Sequence, residues 1–348
     1  MPYRMQLFVD ISTLLKPLAD YAEILLHIKK TLSAEMSPII VVGASYGGML
    51  AAWFRLKYPH IALGEVASSA PILYFDNITP SNAYYDLVSK DFREASESCY
   101  KTIKQSWAEI DKAAAGKKWT YCSLLKVQNL QDVSELKDYL EFMYTGAAQY
   151  DDPQEYPVNK ACEGIDGDSE GTYTLGRIFS GIVALRGENS CHDVDEFFSD
   201  ETLDSSWGWQ TCSEMVSPIG IGKNETMFQA DPFYLTEYRD SCNKSFGVVP
   251  RPHWITTYYG GHDIRVVLKR FGSNIIFSNG HRDPCSSAGV LENISDNIIA
   301  VTTKNSSHCL DIQPATEDDP EWLVMQRKIE MDMVHDWFLK YSADLLQN

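Results

Sequence analysis

The stretch "SPIIVVGASYGGML", residues 37–50, decides how this chain folds. A short β-branched run ends in glycine, which is how a parallel strand buried on both faces reads. Gly43-Ala44-Ser45-Tyr46-Gly47 follows at once and matches G-x-S-x-G. From Gly47 to about Tyr58 the residues suit a helix, and Pro59 closes it. "IALGEVASSAP" then reads as a second strand with a loop behind it. Strand, sharp turn, helix and strand make a βαβ unit of an α/β sheet.

Working outward, "PLADYAEILLHIKKTL" places Leu18, Ala22, Leu25, Ile28 and Leu32 near a 3.6-residue period and predicts an amphipathic helix before the strand. From about Asp76 to Arg251 helical patterns alternate with Gly, Asp and Pro-rich loops, which predicts a mostly helical insertion. Strand signal returns in "SNIIFSNG" at 273–280 and "DNIIAVTT" at 296–303. The end reads as one long helix over 320–341 with Trp322, Met325, Ile329, Met333, Trp337 and Tyr341 along its core stripe. Three segments result: 1–75 with the G-x-S-x-G turn, 76–251 as insertion, and 252–348 with the late strands and the last helix.

Lys and Arg number 30 against 48 Asp and Glu, a formal charge of −18, and no basic stretch could track phosphates. Nucleic acid and anionic membrane are therefore excluded as expected partners. Eight cysteines without a CxxC pair favour disulfides and an oxidising compartment. Sequons at Asn77, Asn224, Asn243, Asn293 and Asn305 agree with a secretory route. The start shows no signal peptide, and no run of about 18 apolar residues could span a bilayer.

A serine hydroxyl between glycines, after a strand and before a helix, is placed to be lifted into a cleft as a nucleophile. The Tyr46 N–H, at the positive end of the following helix, is then an oxyanion donor. Such a serine needs a base, and the base needs an orienting carboxylate. In an α/β-hydrolase these follow in the order Ser, acid, His, in loops after late strands. "SNGHRDPC" offers Asp283 and "KNSSHCLD" offers His308. His253, His262 and His281 lie outside that pattern. No H-E-x-x-H or similar spacing points to a metal, and no cofactor is expected.

With Ser45, Asp283 and His308 in place, the sequence resembles the S28 family of serine exopeptidases, the Pro-X carboxypeptidase and dipeptidyl-peptidase II group, with wording closest to plant members. The most specific pieces are "GASYGGMLAAWFRLKYPH", "ASSAPI", "RPHWITTYYGG", "NIIFSNGHRDP" and "EDDPEWLV". The resemblance implies an α/β-hydrolase with an inserted helical cap and a triad on Ser45, Asp283 and His308. It implies cleavage of peptides next to proline, in a vacuole or lysosome or outside the cell, with a peptide as partner; association into a homodimer stays open. It also implies bridges Cys99–Cys162, Cys122–Cys191 and Cys212–Cys242.

Departures from that family sharpen the expectations. Only about 37 residues precede the first strand, so the chain reads as N-terminally shortened, with strands missing before the turn. Cys285 stands where the family's D-P-W has its tryptophan, and Ser217 where an apolar methionine is usual, so Met49, Ser217 and Cys285 become the expected substrate pocket. Cys309 replaces the second of two paired histidines. Because the loops of Cys285 and Cys309 must meet, a fourth disulfide between them is expected, the alternative being two free thiols. Two further readings stay open: a non-catalytic remnant of the family, and a serine esterase using the same triad.

Overall fold

The computed structural model describes residues 15–115, 127–128, 133–167, 173–187, 192–193, 201–260 and 263–347. Its centre is a four-stranded parallel sheet of β1 (Ile40–Ala44), β2 (Gly64–Ser68), β3 (Ile275–Gly280) and β4 (Ile298–Thr303), side by side in chain order. Ala44 lies opposite Ser68, Ser68 opposite Ser278, and Ser278 opposite Val301, so all four strands end along one edge. Loops leaving that edge carry every candidate catalytic residue.

Strand alternation sorts the two faces. Ala67, Ile275, Phe277 and Ile298 join a cluster with Leu18, Trp53, Phe54 and Tyr259, brought by α1 (Leu15–Thr31), α2 (Tyr46–Lys57) and later helices. Trp53 stacks on Tyr259 with ring centroids 4.2 Å apart. Val66, Ile276 and Val301 face the opposite way and meet Val334 and Trp337.

Between β2 and β3 lies the helical segment. It comprises α3 (Ala83–Ala95), α4 (Glu97–Ala115), α5 (Val133–Gln149), α6 (Pro157–Gly167), α7 (Thr174–Arg186), α8 (Glu201–Ser213), α9 (Leu235–Phe246), α10 (Trp254–Tyr259) and α11 (Ile264–Phe271). A two-residue parallel pair joins Val127–Gln128 to His192–Asp193. Helices α3 to α7 bury their own core, with Phe92, Ile103, Ile110, Leu136, Leu140, Ile165 and Ile178 at its centre. Two bridges staple this segment, Cys99–Cys162 and Cys212–Cys242. The third expected bridge, Cys122–Cys191, lies outside the described residues, as does His262. All five sequon asparagines are exposed.

Two stripes differ from their expectation. The last helix, α12 (Glu321–Gln347), buries Leu323, Gln326, Glu330, Val334 and Trp337, a face turned by about one residue from the all-apolar stripe. Met325 and Ile329 are exposed instead. The polar pair is drawn inward because strand β3 offers it partners: Ser278 Oγ donates to Glu330 Oε1 at 2.6 Å and accepts from Gln326 Nε2 at 2.8 Å. Of the stripe expected before β1, Leu18 and Ala22 in α1 are buried, while Ile28 and, just past the helix, Leu32 are exposed. Tyr21, Ile24 and Leu25 line, with β1, a groove of about 340 Å³. Among the described residues β1 is an edge of the sheet.

Candidate active site

Ser45 links β1 to α2 with φ 54° and ψ −121°, a conformation that costs an L-residue on the order of 1–3 kcal/mol and persists only where its surroundings enforce it. Here the Ser45 amide donates to Ser68 O at 2.8 Å and its carbonyl accepts from Met49 N at 3.0 Å. Glycines make the tight reversal possible: a Cβ on Gly43 would lie 2.1 Å from Gly47 O, and one on Gly48 2.8 Å from Ser68 O. The Ser45 hydroxyl makes no capping bond to α2. Tyr46, at the first position of α2, has an N–H with no partner inside the helix. Its ring packs edge-on against Trp207 at 5.2 Å, and its hydroxyl accepts from Gln210 at 2.5 Å.

The candidate acid and base come from the loops after β3 and β4. Asp283 is fully buried and caps a 3-10 turn over Pro284–Ala288, accepting from Cys285 N at 2.9 Å. His308, 5% exposed, holds Nδ1 2.9 Å from Asp283 Oδ2 and 3.0 Å from Oδ1. Burial weighs against a charge on this imidazole, but hydrogen bonds to Asp283, Cys285 and Cys309 outweigh it and raise its pKa above the ordinary range. Burial, with the Asp283 charge behind it, pushes the Cys285 thiol up to about 11.

Three bonds tie the edge together from strand to strand. The Ser45 amide reaches Ser68 O, the Ser69 amide reaches Ser278 O at 2.7 Å, and the Cys309 amide reaches Ser69 Oγ at 2.9 Å. Ser45 and the His308 loop are thus both fixed to the Ser68-Ser69 turn. No hydrogen bond joins Ser45 Oγ to the imidazole, a contact that often tightens only in the substrate complex.

The chain is matched over residues 5–330 by the family described as serine carboxypeptidase S28. The chain belongs to the serine carboxypeptidase S28 family. It is 34% identical over 339 residues to the lysosomal Pro-X carboxypeptidase of Homo sapiens, covering 92% of this chain and 67% of that protein. To the Bos taurus protein of the same name it is 34% identical over 357 residues, covering 97% of this chain and 70% of that one. A Caenorhabditis elegans relative, prolyl carboxy peptidase like protein 5, is 30% identical over 380 residues, covering 97% of this chain and 74% of its own. This S28 member is accordingly an α/β-hydrolase and a serine-type hydrolase of peptide bonds.

One expectation for this S28 chain is corrected: Cys285 and Cys309 are free thiols. The Cys285 sulfur turns to Gln149 Oε1 at 3.9 Å, and Cys309 sits in a left-handed turn (φ 59°) whose amide is held by Ser69. The two loops are joined instead by the Asp283–His308 pair and by the Arg282 amide on Ser306 O at 3.1 Å. Of the expected pocket, Met49 is buried in α2 and Cys285 lies beside Asp283 and His308. Ser217 is half-buried in a separate turn, its hydroxyl 3.5 Å from Met215 O. His253 is exposed and paired with Asp76, and His281 is exposed.

The helical segment also contributes residues that the sequence motifs do not mark. The Gln149 carbonyl accepts from the His308 amide at 3.0 Å, and the Tyr150 ring meets the imidazole edge-on at 5.8 Å. Asp151, nearly fully buried, pairs with Arg282 at 2.7 Å. From the far side, Arg327 of α12 donates to Asp311 O at 2.8 Å and Leu310 O at 2.9 Å, bracing the turn after His308. Only the neighbourhood of these residues in the fold, and no local spacing, could have singled them out.

Proposed function

We propose that this S28 chain is an exopeptidase that cleaves peptides next to proline through an acyl-enzyme. Ser45 Oγ attacks the scissile carbonyl carbon and passes its proton to His308. The Tyr46 N–H receives the oxyanion. Asp283 orients the imidazole and stabilises its cation. His308 then returns the proton to the leaving amine, and water cleaves the ester by the same steps in reverse. The observation that carries this reading is the buried Asp283–His308 pair at the same sheet edge as a serine held at φ 54°.

Residues 76–251 act in this reading as a cap that selects the substrate, and the wall near Cys285 sets the proline preference. The relatives named Pro-X carboxypeptidases support that preference. Their name also supports a lysosomal or vacuolar setting, with which the two bridges and five exposed sequon asparagines agree. No helix among the described residues is long and apolar enough to cross a membrane.

The test is a peptide panel. Peptides with a penultimate C-terminal proline should lose one C-terminal residue, and the matched alanine peptides should be cleaved at least about tenfold more slowly. Release of an N-terminal Xaa-Pro dipeptide instead would assign dipeptidyl-peptidase activity. Turnover of small esters without cleavage of any peptide would leave an esterase.

A further inference from the structure

We propose that Asp283, Cys285 and His308 form a binding site for a soft divalent cation of the Zn2+ type, and that the bound ion blocks catalysis. One carboxylate oxygen, the Cys285 sulfur and one imidazole nitrogen lie within 4.8 Å of one another. Around tetrahedral Zn2+, with bonds of about 2.0–2.3 Å, ligand atoms sit about 3.4–3.8 Å apart. Closing the site therefore needs side-chain movements of about one ångström. Acid and base occupy separate loops, so no linear ligand motif announces the site.

The donor set selects the ion. Thiolate and imidazole suit Zn2+ and its soft neighbours, whereas Mg2+ and Ca2+ prefer oxygen throughout. Three protein ligands leave a fourth position for water. The supporting contacts that fix ligand direction are already present: Cys285 N donates to Asp283 Oδ1, and Gln149 Oε1 faces the sulfur. Asp283 and His308 are buried and Cys285 is half-buried.

Cys285 is what distinguishes this cluster from an ordinary acid–base pair. It is free of any disulfide, and the proposed reaction makes no use of its thiol. On binding, the sulfur gives its proton to solvent and its lone pair to the ion, and the imidazole gives a nitrogen lone pair. Thiolate and carboxylate together neutralise the two charges of the ion. His308, held as a ligand, can no longer take the Ser45 proton. The inhibition rests on the peptidase reading; the binding does not.

Co2+ titration of the oxidised, purified full chain tests the binding by absorbance, independently of turnover. One equivalent should raise a thiolate-to-cobalt charge-transfer band that Zn2+ displaces. Cys285→Ser should lose the band and bind Zn2+ about 100-fold more weakly, with Cys285→Ala as the alternative should the serine variant misfold. Cys309→Ser and Ser45→Ala should keep it. Zn2+ that fills the site should also prevent fluorophosphonate labelling of Ser45. Absence of the band, a band that follows Cys309, or undiminished Zn2+ affinity in both Cys285 variants overturns the proposal. A band without labelling under any condition would leave the metal site standing and remove the peptidase reading.

Discussion

The backbone N–H of His308 donates to the carbonyl of Gln149, the last residue of α5, at 3.0 Å. The loop that presents His308 is therefore fastened to the helical segment as well as to the sheet. Two residues on, the buried Asp151 reinforces the junction through its ion pair with Arg282, next in sequence to Asp283.

Arg282→Ala leaves the Asp151 carboxylate buried without its partner. Burial already raises the Asp151 pKa against the opposing pull of Arg282, so the variant should protonate more readily still. The expected loss is about 3 kcal/mol at pH 7 and less at pH 4.5, because a carboxyl that takes up a proton needs no counter-charge. Equal losses in urea melts at both pH values would contradict this pairing.

At the elbow, three neighbouring glycines should respond differently. Gly43→Ala and Gly48→Ala drive a methyl into backbone atoms at 2.1 and 2.8 Å and should each cost at least about 2 kcal/mol, with loss of probe labelling at Ser45. A Cβ at Gly47 meets nothing within 4 Å. Gly47→Ala should therefore stay within about 0.5 kcal/mol of the parent in the same melts.

Asp283→Asn keeps the shape but turns an acceptor toward the donor of His308 or a donor toward its lone pair. kcat should fall on the order of 10³–10⁴-fold with KM little changed. A loss confined to KM would mean that Asp283 only shapes the pocket.

Buried carboxyls set the pH profile of stability. Burial, then the Asp311 charge, pushes Glu330 up to about 8 from an ordinary 4.5, and burial pushes Asp91 up to about 8 from 3.8. Glu65 and Asp311 are raised by burial as well. In the folded protein these groups keep protons that the unfolded chain releases above about pH 4.5, so stability falls as pH rises from there to about 8. Asp111, through Lys137, and Asp319, through the Thr316 amide, are lowered and contribute above their ordinary range, so their share is lost below about pH 4. The melting temperature should peak near pH 4.5 and be about 5 °C lower at pH 8. Glu330→Gln should raise it at pH 8 and leave it unchanged at pH 4.5. A melting temperature that climbs between pH 4.5 and 8 contradicts the assignment.

Much of this was legible in the sequence because it is local. The run from Ile39 to Gly48 specifies a strand, a reversal and a helix start through residue types alone, and the loops with Asp283 and His308 follow equally plain strands. What was not legible depends on tertiary neighbours. Gln326 and Glu330 are buried because Ser278 meets them across the sheet, which no helical periodicity encodes. Gln149 and Asp151 matter because α5 ends beside the loops of Asp283 and His308. Cys285 and Cys309 approach the same imidazole, yet proximity of two loops fixes neither the direction of their sulfurs nor a bond between them.

The most direct test of the central claim is labelling of the folded, metal-free chain with a fluorophosphonate, followed by peptide mapping. The predicted result is one adduct on Ser45 in the parent, none in Ser45→Ala, and slowing by at least about 10³-fold in His308→Ala. A folded parent that takes up no probe, or one labelled at another serine, contradicts the account.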